Sequence, residues 1–351
     1  MKIFRLPLLL IVLFSSICAA YSQQTWEQLD KHLKQQVLQL NVGLKLKLKN
    51  GLWAQLSDLS PKYHYPVFST TKEDKGYRVV GFGSTFPVAA NDRSHTYFIT
   101  NRHVVESAGD VAGECERFFA GLRLYAEQTA QHDADARYAE LLQTVNLSAK
   151  KDLTLAERTL YQTTVDAIWD CYETYLSERA DPARALFKKY LNAAGVQPSV
   201  SYFLHRPGPV TQPAIEAQLY KSAKSDGEPD LAILATNVPM PGMEFDSVEP
   251  SEGQEIQVIG YPTASDQIDL DSSKYYAPTF NTGRISRVAP RILQVDAPIT
   301  TGNSGGPVVS VRGKVVGVVA VRAISARGGE LPNFGGAVTV QSVKSFAPEL
   351  F

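Results

Sequence analysis

Trp26, Leu29, Leu33 and Val37 recur at helical spacing, so Thr25 to Leu40 reads as a short amphipathic helix. The period then changes. Leu44, Leu46 and Leu48 alternate with Lys45, Lys47 and Lys49 and run into Asn50-Gly51, the pattern of a strand entering a hairpin. Strand character returns in Tyr77 to Val88 and His95 to Thr100. Beyond His103 the residue types shift. Glu116 to Leu142 and Leu153 to Leu191 are rich in Ala, Leu, Glu, Arg and Tyr, with almost no Gly or Pro. Tyr161, Val165, Ile168, Tyr172 and Leu176 share one helical face, and Asp181-Pro182 suits the start of a further short helix. Strand patterns resume at 199–204, 214–220, 231–235 and 255–260, and continue at 283–288, 292–295, 308–311, 314–321 and 336–340. Turn residues separate them at short intervals, as in a β-barrel or sandwich. The predicted fold is mainly β with a large helical insertion.

The N-terminus changes this picture first. Lys2 and Arg5 precede a nearly unbroken apolar run, Leu6 to Phe14, and then the small, neutral Ser15 to Ser22. That is the layout of a secretory signal peptide over residues 1–20, with cleavage fitting after Ala20 or Ser22. The run is short of the roughly twenty apolar residues a membrane span requires, so no stable span is expected after cleavage. An exported, periplasmic or secreted chain is therefore expected. Charges nearly cancel at a net −1, which disfavours a nucleic-acid partner. Of the three cysteines, Cys18 leaves with the signal. Cys115 and Cys171 remain, and an even pair in an exported chain points to a disulfide, with two buried free thiols as the alternative. No repeat or metal-ligand cluster is visible, and neither cofactor nor metal is expected.

The candidate chemistry lies in Thr301-Gly302-Asn303-Ser304-Gly305-Gly306-Pro307-Val308-Val309. Glycines surround one serine ahead of a β-branched segment. A nucleophilic serine needs a base, a group to orient that base, and donors for an oxyanion. Among the six histidines, His103 is best placed, following the strand 96–100 into what reads as a short turn. His95 and His205, at other strand ends, read as surface or half-buried residues. Asp230 opens the apolar strand Leu231 to Leu234, where a carboxylate is costly to bury without a partner. The order is His103, Asp230, Ser304.

These segments resemble the chymotrypsin-fold serine peptidases, most closely their bacterial HtrA (Deg) branch. The matching pieces are GFGSTF (81–86), TNRHVV (100–105), DLAIL (230–234), NTGRIS (281–286), VDAPITTGNSGGPVV (295–309) and FGGAVTV (334–340). The resemblance implies two antiparallel β-barrels with a cleft between them. It implies a first barrel within residues 42–240, interrupted by a helical insertion at about 106–196, and a second barrel within 241–351, preceded by the N-terminal helix in 21–41. It also implies a serine endopeptidase with Ser304 as nucleophile, His103 as general base and Asp230 as its orienting carboxylate. The backbone N–H groups of Gly302 and Ser304 would form the oxyanion hole. Substrates would be exported or unfolded proteins.

Three departures accompany the resemblance. Thr85 stands where the family often has glycine. The chain ends at Phe351, just past the last expected strand, so no PDZ domain is expected. The insertion beside His103 is far longer than in the family, and could gate the cleft, bind a protein partner or make oligomer contacts. The specificity pocket is expected between Pro298 to Thr301 and Val316 to Val321, neither charged, which favours a small aliphatic residue before the scissile bond. Asp296 is expected to be structural. The rival reading is a catalytically weak binding or scaffold protein that acts through its helical insertion.

Overall fold

A computed structural model describes residues 25–58, 67–128, 154–157, 159, 163, 195–225, 227–263, 274–324 and 330–351. The signal segment lies outside them, as do Cys171 and most of the expected insertion.

The first helix, α1, spans Trp26–Leu33. It ends earlier than its apolar spacing suggests, because Leu38 and Leu40 belong to a strand, β1 (Leu38–Leu48). Leu38, Leu40, Val42, Leu44, Leu46 and Leu48 all point into one core, at the period of two that a strand imposes. Strands β2 (Trp53–Asp58) and β3 (Val67–Thr71) extend from it. The connection from β1 to β2 is the expected tight hairpin: Lys47 pairs with Trp53, and Gly51 takes a φ of 86°.

The first barrel is closed by six antiparallel strands. They are β1, β4 (Arg78–Val88), β5 (Thr96–Thr100), β9 (Ala232–Thr236), β8 (Ile215–Ser222) and β6 (Val196–His205), which pairs back to β1. Between β5 and β6 the chain forms α2 (Arg102–Gln128). Here the structure corrects the sequence reading, which had His103 entering a short turn. Val104, Val105, Ala108, Cys115 and Phe118 form an apolar helical stripe buried against the barrel core, and this stripe extends the helix back to Arg102. Cys115 is fully buried in that core and, among the described residues, has no disulfide partner; Cys171, with which it is expected to pair, lies outside them.

The second barrel is likewise closed, in the order β10 (Glu255–Gly260), β12 (Thr279–Val288), β13 (Ile292–Val295), β16 (Glu330–Thr339), β15 (Val315–Ile324) and β14 (Pro307–Ser310). Different residues of its strands serve two different cores. Val308, Val316 and Val319 fill the barrel interior, whereas Val309, Val315 and Val318 face a cluster shared with Phe86, Val88 and Ile99 of the first barrel. Leu29 and Leu33 of α1 join this shared cluster, as does Val343 of the C-terminal helix α3 (Val340–Phe346). The two barrels thus meet over a continuous apolar surface. A two-stranded bridge links them as well, in which β7 (Gly208–Pro209) pairs with β11 (Tyr275–Tyr276).

Among the described residues, no helix is long and apolar enough to cross a membrane.

Candidate active site

His103 is the second residue of α2, and its backbone N–H is one of the donors that a helix start leaves without an intrahelical partner. Asp230 satisfies it: His103 N–H donates to Oδ1 at 3.1 Å. The ring is held by the same carboxylate, with Nδ1 2.6 Å from Oδ2. Asp230 reaches this position because it stands just before β9, the barrel neighbour of β5, whose Thr100 pairs with Ala232. Asn101, fully buried between β5 and α2, donates from Nδ2 to the Asp230 carbonyl at 2.7 Å. The histidine side chain remains half exposed, so one edge of the ring is anchored and the other faces outward.

Burial pushes the Asp230 carboxyl up, but the hydrogen bond from the His103 ring, the ring's charge, the backbone N–H and nearby Arg102 outweigh it. The net direction is below the ordinary carboxylate value. Asp230 is therefore a carboxylate at neutral pH that accepts from Nδ1–H, which leaves Nε2 as the ring nitrogen free for another partner.

Ser304 lies in the loop leading into β14. Thr300 C=O accepts from Asn303 N–H at 3.1 Å, and Gly302 at the third position of this turn has a φ of 98°. That is the geometry of a type II turn, which requires a residue tolerant of positive φ there. A Cβ at Gly302 would also collide with the Tyr261 carbonyl. Among the described residues, the N–H groups of Gly302 and Ser304 donate to no backbone carbonyl, whereas those of Asn303, Gly305 and Gly306 are engaged.

The loop sits against the barrel that carries His103. Ser304 C=O accepts from Ser84 N–H of β4 at 2.8 Å. A Cβ at Gly83 would stand 3.0 Å from both the Ser304 carbonyl and Val104 Cγ2, the residue after the histidine. Gly305 lies so close to Ser84 O and Thr100 Oγ1 that no side chain fits. The structure thus brings the three sequence-predicted segments to one seam between the barrels, with Asp230 bonded directly to His103. Among the described residues Ser304 Oγ makes no hydrogen bond.

Sequence reasoning gave Ser84 and Asn101 no role, although both sit in the quoted segments GFGSTF and TNRHVV. Their signal was a small polar residue inside an otherwise apolar strand or at its end. In the expected specificity pocket, Val316, Val318 and Val319 prove to be core residues, at most 2% exposed. Ile299 and Thr300 are half buried, and Pro298 is exposed. Asp296 accepts from Arg284 N–H at 2.5 Å, tying the end of β13 to β12. No group of three or more His, Cys, Asp or Glu among the described residues could hold a metal ion.

Residues 197–318 match the family model of the trypsin-like peptidase domain. The two closed six-stranded barrels and the glycine-framed serine at their seam accompany this match, and over that segment the chain is similar to trypsin-like peptidases. Its relatives include a serine protease DegP homolog of Plasmodium falciparum, 36% identical over 96 residues, covering 25% of this chain and 11% of the relative. Another is an uncharacterized protein of Sinorhizobium fredii, 30% identical over 121 residues, covering 33% of this chain and 17% of the relative. The chain thus spans less than a fifth of the length of either. Among solved structures, the serine endoprotease of Yersinia pestis aligns with a TM-score of 0.44 at 14% identity, over 92% of this chain and 65% of that one.

Proposed function

We propose that the protein is a serine endopeptidase that hydrolyses peptide bonds in exported proteins with Ser304, His103 and Asp230. The observation that carries this reading is the pair of hydrogen bonds from His103 to Asp230, by ring and backbone, on the barrel face where the Ser304 loop docks. Ser304 Oγ attacks the peptide carbonyl while His103 Nε2 takes its proton. The tetrahedral oxygen is received by the N–H groups of Gly302 and Ser304. The imidazolium, stabilised by Asp230, then protonates the leaving amine, and water repeats the sequence on the acyl-enzyme.

The apolar N-terminal run supports export to the periplasm or beyond. Pro298 to Thr301, which carry no charge, support a small aliphatic residue before the scissile bond rather than Lys or Arg. Fluorophosphonate labelling tests the reading. Covalent modification at Ser304, absent from Ser304→Ala, is expected together with casein cleavage by the wild type alone. A labelled Ser304→Ala, or full cleavage by it, would overturn the assignment.

A further inference from the structure

Ser84 lies on β4, in the middle of the first barrel's contact with the Ser304 loop, and is 0% exposed. All of its polar groups are engaged, and they join four separate segments. Its N–H donates to Ser304 C=O at 2.8 Å. Its Oγ donates to Gly302 C=O at 2.7 Å and accepts from Tyr261 N–H at 2.9 Å. Its own carbonyl accepts from Thr100 Oγ1 at 3.0 Å, three residues before His103. One hydroxyl has a single proton to donate, and Ser84 directs it to Gly302.

That choice matters because of where the Gly302 carbonyl stands in the loop. The two candidate oxyanion donors belong to the peptide units 301–302 and 303–304. The unit between them, Gly302–Asn303, sets their relative aim. Its N–H end is held by Thr300 C=O at 3.1 Å, and its C=O end by Ser84 Oγ. Glycine itself resists rotation of this unit very little, so the hydroxyl supplies a constraint that the sequence of the loop lacks. Ser84 N–H fixes the carbonyl two residues further on, that of Ser304, against the same strand.

We infer that Ser84 is a positioning residue: its hydroxyl locks the peptide plane between the two oxyanion donors and ties it to the strand leading to the base. The inference rests on the proposed peptidase reading. Loss of the hydroxyl would mis-aim the donors toward the tetrahedral intermediate while leaving ground-state peptide binding in place. Removing one oxyanion donor outright costs about 10²–10³ in kcat. Mis-aiming is expected to cost less, roughly 10- to 100-fold.

The test compares Ser84→Ala with Thr85→Val, using steady-state hydrolysis of one peptide substrate and thermal unfolding. Thr85 is an equally buried neighbour whose Oγ1 donates to Ile99 C=O at 2.7 Å, away from the loop. Both variants should lose stability. Only Ser84→Ala should lose kcat, with KM within about twofold of wild type. A parallel loss of affinity for a peptide boronic acid, which forms a tetrahedral adduct on the serine, is expected in that variant alone. If Ser84→Ala does not fold, Ser84→Cys, which keeps the volume but donates weakly, carries the same test. An unchanged kcat in whichever folded Ser84 variant is measured would overturn the inference, as would an equal kcat loss in Thr85→Val. Wild-type protein that neither labels nor cleaves would instead overturn the peptidase reading itself.

Discussion

His103 presents two donors to a single carboxylate, its ring Nδ1 2.6 Å from Asp230 Oδ2 and its backbone N–H 3.1 Å from Oδ1. The ring is therefore fixed by the same contact that closes the start of α2. Position and tautomer are set together.

Replacing this carboxylate by an amide should separate the two functions. In Asp230→Asn the side-chain oxygen can still accept from one donor, so the fold is retained. The amide N–H₂ facing Nδ1 would favour the wrong tautomer. Peptide hydrolysis is expected to fall by about 10⁴-fold, with unchanged far-UV circular dichroism. Near-wild-type turnover would show that Asp230 does not orient the base.

Acid should reveal the same contact as stability. The folded Asp230 carboxyl lies below its ordinary value, so the unfolded chain binds its proton first as pH falls. Its contribution to stability is fully present above about pH 4 and is lost as the pH drops toward the folded value. The melting-temperature gap between wild type and Asp230→Asn should accordingly narrow in acid and be widest near neutrality. A gap that stays constant from neutral pH down to pH 2–3 would contradict this.

Gly302 offers a test of the turn. A Cβ there would oppose the φ of 98° and strike the Tyr261 carbonyl. Gly302→Ala should shift the loop and cost about 10²–10³ in kcat, the size of a lost oxyanion donor. Fluorophosphonate labelling of Ser304 should slow in parallel. Full activity in this variant would remove Gly302 N–H from the proposed mechanism.

Leu33 probes the packing that joins the barrels. It is 1% exposed and sits in the cluster shared by α1 and both barrels. Leu33→Ala should lower stability by about 2–5 kcal/mol, measured by urea unfolding, with kcat unchanged at a temperature where the variant is folded. A loss below about 1 kcal/mol would mean that α1 is not an integral part of the fold.

Cys115 is expected to be silent toward thiol reagents in the native protein. It is fully buried, and burial pushes its thiol well above the ordinary range. Peptide mapping after alkylation should find Cys115 unmodified in buffer and modified in denaturant without reductant. Modification that required a reductant would show that it is paired.

Much of this was legible along the chain, because local periodicity and local chemistry travel with the residues. The leucines of β1 alternate with lysines and end in Asn50-Gly51, and a hairpin follows from sterics alone. The glycines around Ser304 announce a turn that other residues would strain, and the order His103, Asp230, Ser304 can be read without coordinates. What tertiary structure decided depends on partners distant in sequence. The spacing of Trp26, Leu29, Leu33 and Val37 carries no instruction to stop at Leu33. The strand begins at Leu38 because β4 and β6 are there to pair with it. Residues after His103 became helical from Arg102 because the first-barrel core takes up Val104, Ala108 and Cys115 on one face. Ser84 reads in sequence as a small residue in a strand. Its hydroxyl gains a role only when folding brings it to Gly302, 218 residues away, where a buried donor and a buried carbonyl each need the other.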